Sequence, residues 1–387
     1  MKKNEIAISI ADKFKNLYDA KPLVVCSPGR VNVIGEHTDY NEGFVLPAAI
    51  DKAIYVAISK RNDELIRLFS ADFNDVYEGR LSMVEKSEKH WANYILGIVN
   101  QLQMRSQQLH GFNLVIGGDV PIGAGLSSSA AIECATVFAI NELFHLKIDK
   151  FDLVKMAQLA EHAFAGVKVG IMDMFASVFG KKDNALKLDC RSLDFEYIPL
   201  KMEGIKILLL NTNVEHSLAS SEYNTRRQQC ERGVEYVKAH HPGVKSLRDI
   251  TIEMLDRFVA PKDDLIYQRC KYVIEENIRL LAACEDLKKG NIAALGKKMF
   301  QTHEGLSKQY EVSCKELDFL VTHVKSNPAV LGARMMGGGF GGCTINLVKE
   351  EAIHTLINEA SKAYKSAMQK DLSFYIAQTE DGTRIME

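Results

Sequence analysis

Between Arg30 and Tyr40 the chain places Arg30, Asn32, Glu36, His37, Thr38, Asp39 and Tyr40 within eleven positions. A turn needs only Gly, Pro, Asn or Asp, so this density of hydrogen-bonding side chains asks for another explanation. A neutral polyol such as a sugar needs paired acceptors and donors around its ring hydroxyls. Glu36 and Asp39 can accept, and His37 can do either. A solvated surface loop carries charge too, but Val31, Val33, Ile34 and Gly35 interleave with these polar groups. That pattern describes a loop packed down on a core.

A second constellation runs from Gly117 to Glu133, GGDVPIGAGLSSSAAIE. Phe112, Leu114 and Ile116 alternate ahead of it as in a strand, and Ala130 to Phe144 is an apolar run without Gly or Pro, as in a buried helix. Small residues between strand and helix let the backbone come close to a ligand, and the serines can cap the helix. Free N–H groups and the helix dipole both favour an anion there, so Gly123, Ala124, Gly125, Leu126, Ser127, Ser128 and Ser129 form a candidate phosphate loop. It is not a Walker loop, which needs Lys before its Ser/Thr. Nor is it a dinucleotide fingerprint, because Ser128 stands where the third glycine belongs.

A third stretch, Gly166 to Ser177, isolates Asp173 among apolar residues, either as a helix cap or as a buried acid with a task. Glu161 and His162 end the preceding helical pattern, and Glu161 could reach a metal or face solvent. Phosphoryl transfer from ATP to a hydroxyl needs a phosphate cradle, Mg²⁺ on oxygen ligands, a cation at the developing charge and a carboxylate near the nucleophile. The loop at 123–129, Ser129 with Glu161, Arg30 and Asp173 supply one of each.

The elements that must bring these together follow from periodicity. Helices are expected at Ile6–Tyr18, Trp91–Met104, Phe151–Ala165 and Glu350–Met368, with a mostly helical stretch from Ser220 to about Lys325 broken at Pro242 and Pro261. Strands are expected at Leu23–Cys26, Phe44–Leu46, Ala53–Ser59, Leu65–Ser70, Asn184–Asp189, Ile205–Leu210 and Cys343–Val348. Ser27 to Asn41 reads as a polar loop. At 387 residues the chain exceeds one ordinary core, and the shift from mixed strands to helices near residues 195–215 divides it into 1–200 and 201–387. The apolar fraction of 47% and charged fraction of 25% are those of a globular protein in water. A net charge of −2 argues against nucleic-acid or anionic-membrane partners. Eight scattered cysteines without a Cys-x-x-Cys pair read as buried free thiols, and no signal or spanning segment is evident, so a cytoplasmic location is expected.

Several of these motifs together resemble the GHMP small-molecule kinases, and within them the galactokinases. Arg30 to Asn41, continuing through Phe44-Val45-Leu46-Pro47, is similar to the galactokinase sugar signature, and Pro121 to Ala131 to the GHMP phosphate loop. Met336 to Gly342 is similar to the third glycine motif, Gly170-Ile171-Met172-Asp173 to the catalytic segment, and Asn213 to Tyr223 to a further galactokinase stretch. The resemblance implies an α+β fold of two domains, the first like ribosomal protein S5 domain 2 and the second ferredoxin-like, with the site in the cleft. It implies ATP-dependent phosphorylation of the C1 hydroxyl of galactose, the first committed step of galactose use. By resemblance Asp173 is the catalytic carboxylate and Arg30 stabilises the transferring phosphoryl group. Glu36, His37, Thr38, Asp39, Gly170 and Tyr223 hold the sugar, Gly123 to Ser129 wrap the ATP phosphates, and Ser129 with Glu161 ligate Mg²⁺. Small-molecule substrates are the only partners implied, with a monomer or weak oligomer expected. Lys168-Val169 before the catalytic segment and Met174 after it depart from the usual pattern and bear on fine sugar preference. The rivals are a sibling kinase for N-acetylgalactosamine or arabinose, and a galactose- and ATP-binding sensor without turnover. Such sensors lack the Ser-Ala pair that is present here as Ser129-Ala130. Ser70 and Trp91 lie where they could contribute to adenine recognition.

Overall fold

The computed structural model describes residues 2–121, 123–167, 169–214 and 219–386. Ile122, Lys168 and Glu215 to Leu218, which carried parts of the motifs above, lie outside the described residues. In chain order the first half comprises α1 (Lys2–Tyr18), β1 (Leu23–Asn32), β2 (Phe44–Val45), β3 (Pro47–Lys60), β4 (Leu65–Ser70), β5 (Asp75–Arg80), α2 (His90–Met104), β6 (Phe112–Gly118), α3 (Ser128–Phe144), α4 (Lys150–Ala160), α5 (Met172–Phe179), β7 (Asn184–Asp189) and β8 (Phe195–Pro199). The second comprises β9 (Ile205–Asn211), α6 (Ala219–Lys238), α7 (Ile252–Phe258), α8 (Asp264–Lys288), α9 (Ile292–Lys308), α10 (Lys315–Lys325), β10 (Val330–Met335), β11 (Cys343–Lys349), α11 (Ile353–Met368), β12 (Ser373–Ala377) and β13 (Arg384–Ile385).

Alternation along the strands decides which face each residue covers. In β3, Ile54, Val56 and Ile58 join the large core built with α2 to α5, while Ala53, Tyr55 and Ala57 turn to the other face. There Ile10 and Phe14 of α1 cover them. These strands belong to a six-stranded sheet of order β13-β1-β3-β6-β4-β5. A second, four-stranded sheet runs β10-β11-β9-β12. Its β9 splits the same way, with Leu208 and Leu210 packing with α10 and α11, and Ile207 and Leu209 facing the large core. The α+β expectation therefore holds. The tail of the chain crosses between the halves: β12 pairs with β9, whereas β13 pairs with β1 of the first sheet. Among the described residues no helix is long and apolar enough to cross a membrane. All eight cysteines are free thiols, six of them buried.

Several local expectations give way. β1 does not stop at Cys26 but runs to Asn32, absorbing Pro28 and Gly29 at a register shift between Pro28 and Arg30. Arg30 and Asn32 thus project from a sheet rather than a loop. The helix expected over 151–165 ends at Ala160 in a π-helical turn, Glu161–Ala165, and the one expected from Glu350 starts with a 3₁₀ turn. β5 and β8 went unforeseen because few of their residues are buried and charges interrupt their apolar pattern. The serines do not cap α3. Ser127 occupies the cap position at φ 59° with no side-chain cap bond. Its hydroxyl is engaged elsewhere.

Candidate active site

The loop after β1 is tied down before it meets any ligand. Asn32 Nδ2 donates to Gly35 O at 3.0 Å, and Thr38 Oγ1 donates to Gly35 O and Phe44 O at 3.0 and 2.5 Å. One face of α8 holds the same loop from outside. Tyr272 Oη donates to Glu36 O (3.1 Å), Glu276 Oε1 accepts from Gly35 N (2.9 Å), and Asn277 Oδ1 accepts from Phe44 N (2.8 Å). Positions 272 and 276 are one turn apart, so a single helix face supplies these anchors. His37 adopts φ 61°, a left-handed conformation that a side chain rarely takes. Such strain persists where the surroundings over-determine it.

Glu36, His37 and Asp39 then line a cavity of about 320 Å³ together with Arg30, Asp173, Gly170 and Tyr223. That volume lies at the lower end of small-molecule sites, about 300–1,000 Å³. Gly170 is needed for space: a Cβ there would sit 1.9 Å from Asp39 Oδ2. Burial pushes Asp39 up to about 6, helped by the nearby charges of Asp173 and Glu36 and opposed by backbone N–H groups. Burial lowers His37 to about 4, so its imidazole is neutral near pH 7. Burial, with the charges of Asp39 and Asp173, holds the Tyr223 phenol well above its usual value, which keeps it a hydroxyl donor. Thr38 departs from expectation. It is fully buried, spends its hydroxyl on the loop backbone and is absent from the cavity wall. Met174 is likewise buried in the core rather than facing the cavity.

At the inner end Arg30 forks onto Asp173, Nε to Oδ1 and Nη2 to Oδ2, both at 2.8 Å. Two parallel charged bonds fix both groups in angle as well as distance. Arg30 Nη1 donates to Gly125 O at 2.6 Å, and Leu126 O accepts from Arg30 N at 3.1 Å, so the glycine loop is latched to the same arginine. Ser127 Oγ donates to Asp173 Oδ2 at 2.5 Å. The expected cap serine is therefore a third member of the Arg30–Asp173 cluster, a tertiary contact that no local pattern announces.

Gly123 and Gly125 both adopt φ 73° with open space where a side chain would go. They line a second cavity of about 310 Å³, faced by Met336 to Gly342. The two cavities share Gly337 and Gly338. A polyol-type pocket and a glycine-walled pocket at a helix N-terminus thus adjoin, with Arg30 and Asp173 on the wall of the first and Arg30 bound to Gly125 of the second. Ser129 and Glu161 face each other nearby. Burial pushes the Glu161 carboxyl up to about 7, while the Ser129 hydroxyl favours its ionised form. Among the described residues no three His, Cys, Asp or Glu side chains cluster as a metal cage. A pair of oxygen donors and no cage suits Mg²⁺, which takes most of its ligands from phosphates and water.

One residue that holds the sugar loop escaped the sequence reading. Arg334, fully buried at the end of β10, donates to Glu36 Oε1 through Nη1 and Nη2, both at 3.1 Å, and to the carbonyls of Val33 (3.0 Å), Met335 (2.6 Å) and Asn32. Gly337 N adds a third bond to the same Glu36 oxygen at 2.9 Å. Glu36 Oε2 takes no hydrogen bond among the described residues, leaving it for a ligand. The only available signal was a charge inside the apolar run Val330–Met335. Trp91 donates Nε1 to Asp75 Oδ2 at 2.9 Å.

Family models match three stretches of the chain. The galactokinase galactose-binding signature matches residues 12–60, the GHMP kinases N terminal domain matches 93–181, and the GHMP kinases C terminal domain matches 283–366. The sequence is 43% identical to a galactokinase of Thermotoga maritima over 362 residues, covering 94% of this chain and 99% of that protein. It is 38% identical to one of Roseiflexus sp. over 380 residues, covering 98% and 97%. A crystal structure of Lactococcus lactis galactokinase complexed with galactose superposes at a TM-score of 0.94, with 32% identity over 98% of this chain and all of that one. A mevalonate kinase shares the fold alone, at TM-score 0.63 and 22% identity over 93% of this chain and 99% of that one.

Proposed function

The chain belongs to the galactokinases of the GHMP kinase superfamily, and from that premise we propose that it moves the γ-phosphoryl group of ATP to the C1 hydroxyl of D-galactose, giving galactose 1-phosphate and ADP. The observation that carries this reading is the adjoining of the two cavities at Gly337 and Gly338, with the Arg30–Asp173 pair beside the junction. Glu36 Oε2 and Asp39 accept sugar hydroxyls, while His37 and Tyr223 complete the wall. The backbone of Gly170 closes the side next to Asp39. Thr38 shapes the loop without touching the sugar. These pairings of acceptor and donor suit a polyol better than a charged substrate.

In the transfer, Asp173 faces the attacking hydroxyl and accepts or orients its proton, with Ser127 and Arg30 fixing the carboxylate. The Arg30 guanidinium, shared between Asp173 and Gly125 O, lies where negative charge spreads as the phosphoryl group passes. Such a cation contributes about 10³–10⁵ in rate elsewhere. Gly123, Ala124, Gly125, Leu126, Ser127, Ser128 and Ser129 wrap the ATP phosphates, chiefly by backbone N–H groups at the start of α3. Ser129 and Glu161 would hold Mg²⁺, which supplies charge neutralisation on the phosphates. We assign the two lobes to residues 1–200 and 201–387, with the tail strand β13 returning to the sheet of the first.

The test is an ADP-release assay with galactose, N-acetylgalactosamine, arabinose and glucose, followed by ³¹P NMR of the product. Galactose should be the preferred acceptor and the phosphate should sit on the anomeric oxygen. Preference for another sugar would assign a sibling kinase, and galactose binding without ADP release would assign a sensor.

A further inference from the structure

Behind the sugar loop a row of hydroxyls leaves the cavity and enters the helical half, and the chemistry above makes no use of it. His37 Nδ1 lies 2.7 Å from Tyr40 Oη, Tyr40 Oη lies 2.7 Å from Tyr310 Oη, and Tyr310 Oη lies 3.2 Å from Cys230 Sγ. Tyr310 and Cys230 are fully buried. The rings are held edge to face or tilted, His37 to Tyr223 at 5.4 Å, His37 to Tyr310 at 5.0 Å and Tyr40 to Tyr223 at 5.2 Å, so the row has little freedom to reorganise.

The row has two ends, and the proton count links them. A neutral imidazole carries one N–H, and whichever nitrogen bears it leaves the other as an acceptor. Burial keeps His37 neutral. Tyr40 owns one hydroxyl proton and meets two partners. If it donates to His37 Nδ1, it must accept from Tyr310, and Nε2 carries the imidazole proton. If it donates to Tyr310, then Nδ1 carries the proton and Nε2 is bare. At the far end the thiol is a weak donor and a weak acceptor, so that contact decides little. At the near end Nε2 is buried and makes no hydrogen bond to any described residue, while the Gly338 backbone beside the ring favours its protonation. With Nδ1 already facing Tyr40 Oη, a neighbour that favours ring protonation favours a hydrogen on Nε2 over a lone pair. The cavity wall also already holds two carboxylate acceptors, Glu36 and Asp39, which a donor complements.

We propose that Tyr40, backed by Tyr310, donates its hydroxyl proton to His37 Nδ1 and so holds His37 as the Nε2–H tautomer, a fixed donor to an acceptor-sugar hydroxyl. Tyr40 and Tyr310 are positioning residues, acting through His37. The proposal rests on the galactose reading for the identity of the ligand but not for the tautomer itself.

Two measurements separate those parts. With ¹⁵N-labelled histidine, and His37 assigned through a His37→Gln variant, imidazole NMR should find Nε2 protonated and Nδ1 bare in the ligand-free wild type. A protonated Nδ1 would overturn the proposal whatever the substrate. In steady state, Tyr40→Phe should raise the galactose KM about 3- to 10-fold, the worth of one lost hydrogen bond, with kcat changed much less and the ATP KM unmoved. Tyr310→Phe should shift the galactose KM in the same direction by less, and it carries the test if Tyr40→Phe fails to fold. An unchanged galactose KM, or galactose and ATP KM values rising together with a fall in thermal stability, would reduce the row to a structural contact. A wild type that does not phosphorylate galactose would sink the functional reading and leave the NMR result standing.

Discussion

Replacing Arg334 by Met removes the side chain that, among the described residues, ties the β10 end of the second half to the sugar loop of the first. Both Arg334 and Glu36 are buried, with side-chain exposures of 0% and 4%. The change takes two donors from Glu36 Oε1 and one from each of the carbonyls of Asn32, Val33 and Met335. Removing one partner of a buried ion pair costs about 3–5 kcal/mol. Gly337 N remains on Glu36 Oε1, which places this case at the low end. Stranded carbonyls add about 1–3 kcal/mol together, since relaxation re-pairs some of them. The expected loss is thus about 4–6 kcal/mol, a large share of a typical 5–15 kcal/mol. Urea unfolding followed by far-ultraviolet circular dichroism would read it as a lowered midpoint. The double variant Arg334→Met/Glu36→Gln should recover about 2 kcal/mol, because a neutral amide no longer leaves a buried charge unpaired. A loss below about 1 kcal/mol in the single variant, or strict additivity in the double, would refute the view that this pair holds the loop.

Three further outcomes follow from the site. Ser127→Ala should lower kcat about tenfold with little change in galactose KM, because it removes one of the bonds that orient Asp173; steady-state kinetics would decide, and an unchanged kcat would return Ser127 to the loop alone. Ser129→Ala should raise the Mg²⁺ and ATP concentrations needed for half-maximal rate and lower kcat, and an unchanged Mg²⁺ requirement would leave Glu161 without its partner at the metal. Asp39, raised to about 6, should impose a fall in galactose kcat/KM as pH drops below that value, because the protonated acid loses its acceptor capacity. The folded state holds this proton more tightly than the unfolded chain. Ionising Asp39 therefore costs stability as pH rises from about 4 to 6, and Asp39→Asn should flatten both the kinetic limb and that stability term.

The motifs were legible because each is local: the acceptor-rich loop, the glycine and serine run, the isolated Asp173. Their chemistry could be named from residue types, and the resemblance supplied the substrate. What sequence could not supply was the far side of each contact. Ser127 looked like a cap, since only folding brings α5 near enough for Asp173 to take its hydroxyl. Thr38 looked like a sugar ligand, but the turn at Gly35 claims it first. β1 looked like a short strand because Pro28 and Gly29 normally end one, whereas a register shift accommodates both. Arg334 and the α8 anchors Tyr272, Glu276 and Asn277 lie 233 to 298 positions from the loop residues they hold, beyond any local pattern. β13 is too short for periodicity to reveal.

The central claim is that Asp173, fixed by Arg30 and Ser127, is the group at which a sugar hydroxyl receives the phosphoryl group. Asp173→Asn keeps the shape and removes the charge. Galactose binding by this variant, measured by calorimetry, should stay within a few-fold of wild type, while single-turnover transfer from ATP should fall by about 10³ or more, since loss of a catalytic base costs about 10²–10⁴ and Arg30 loses its alignment as well. Transfer at a near-normal rate would contradict the account.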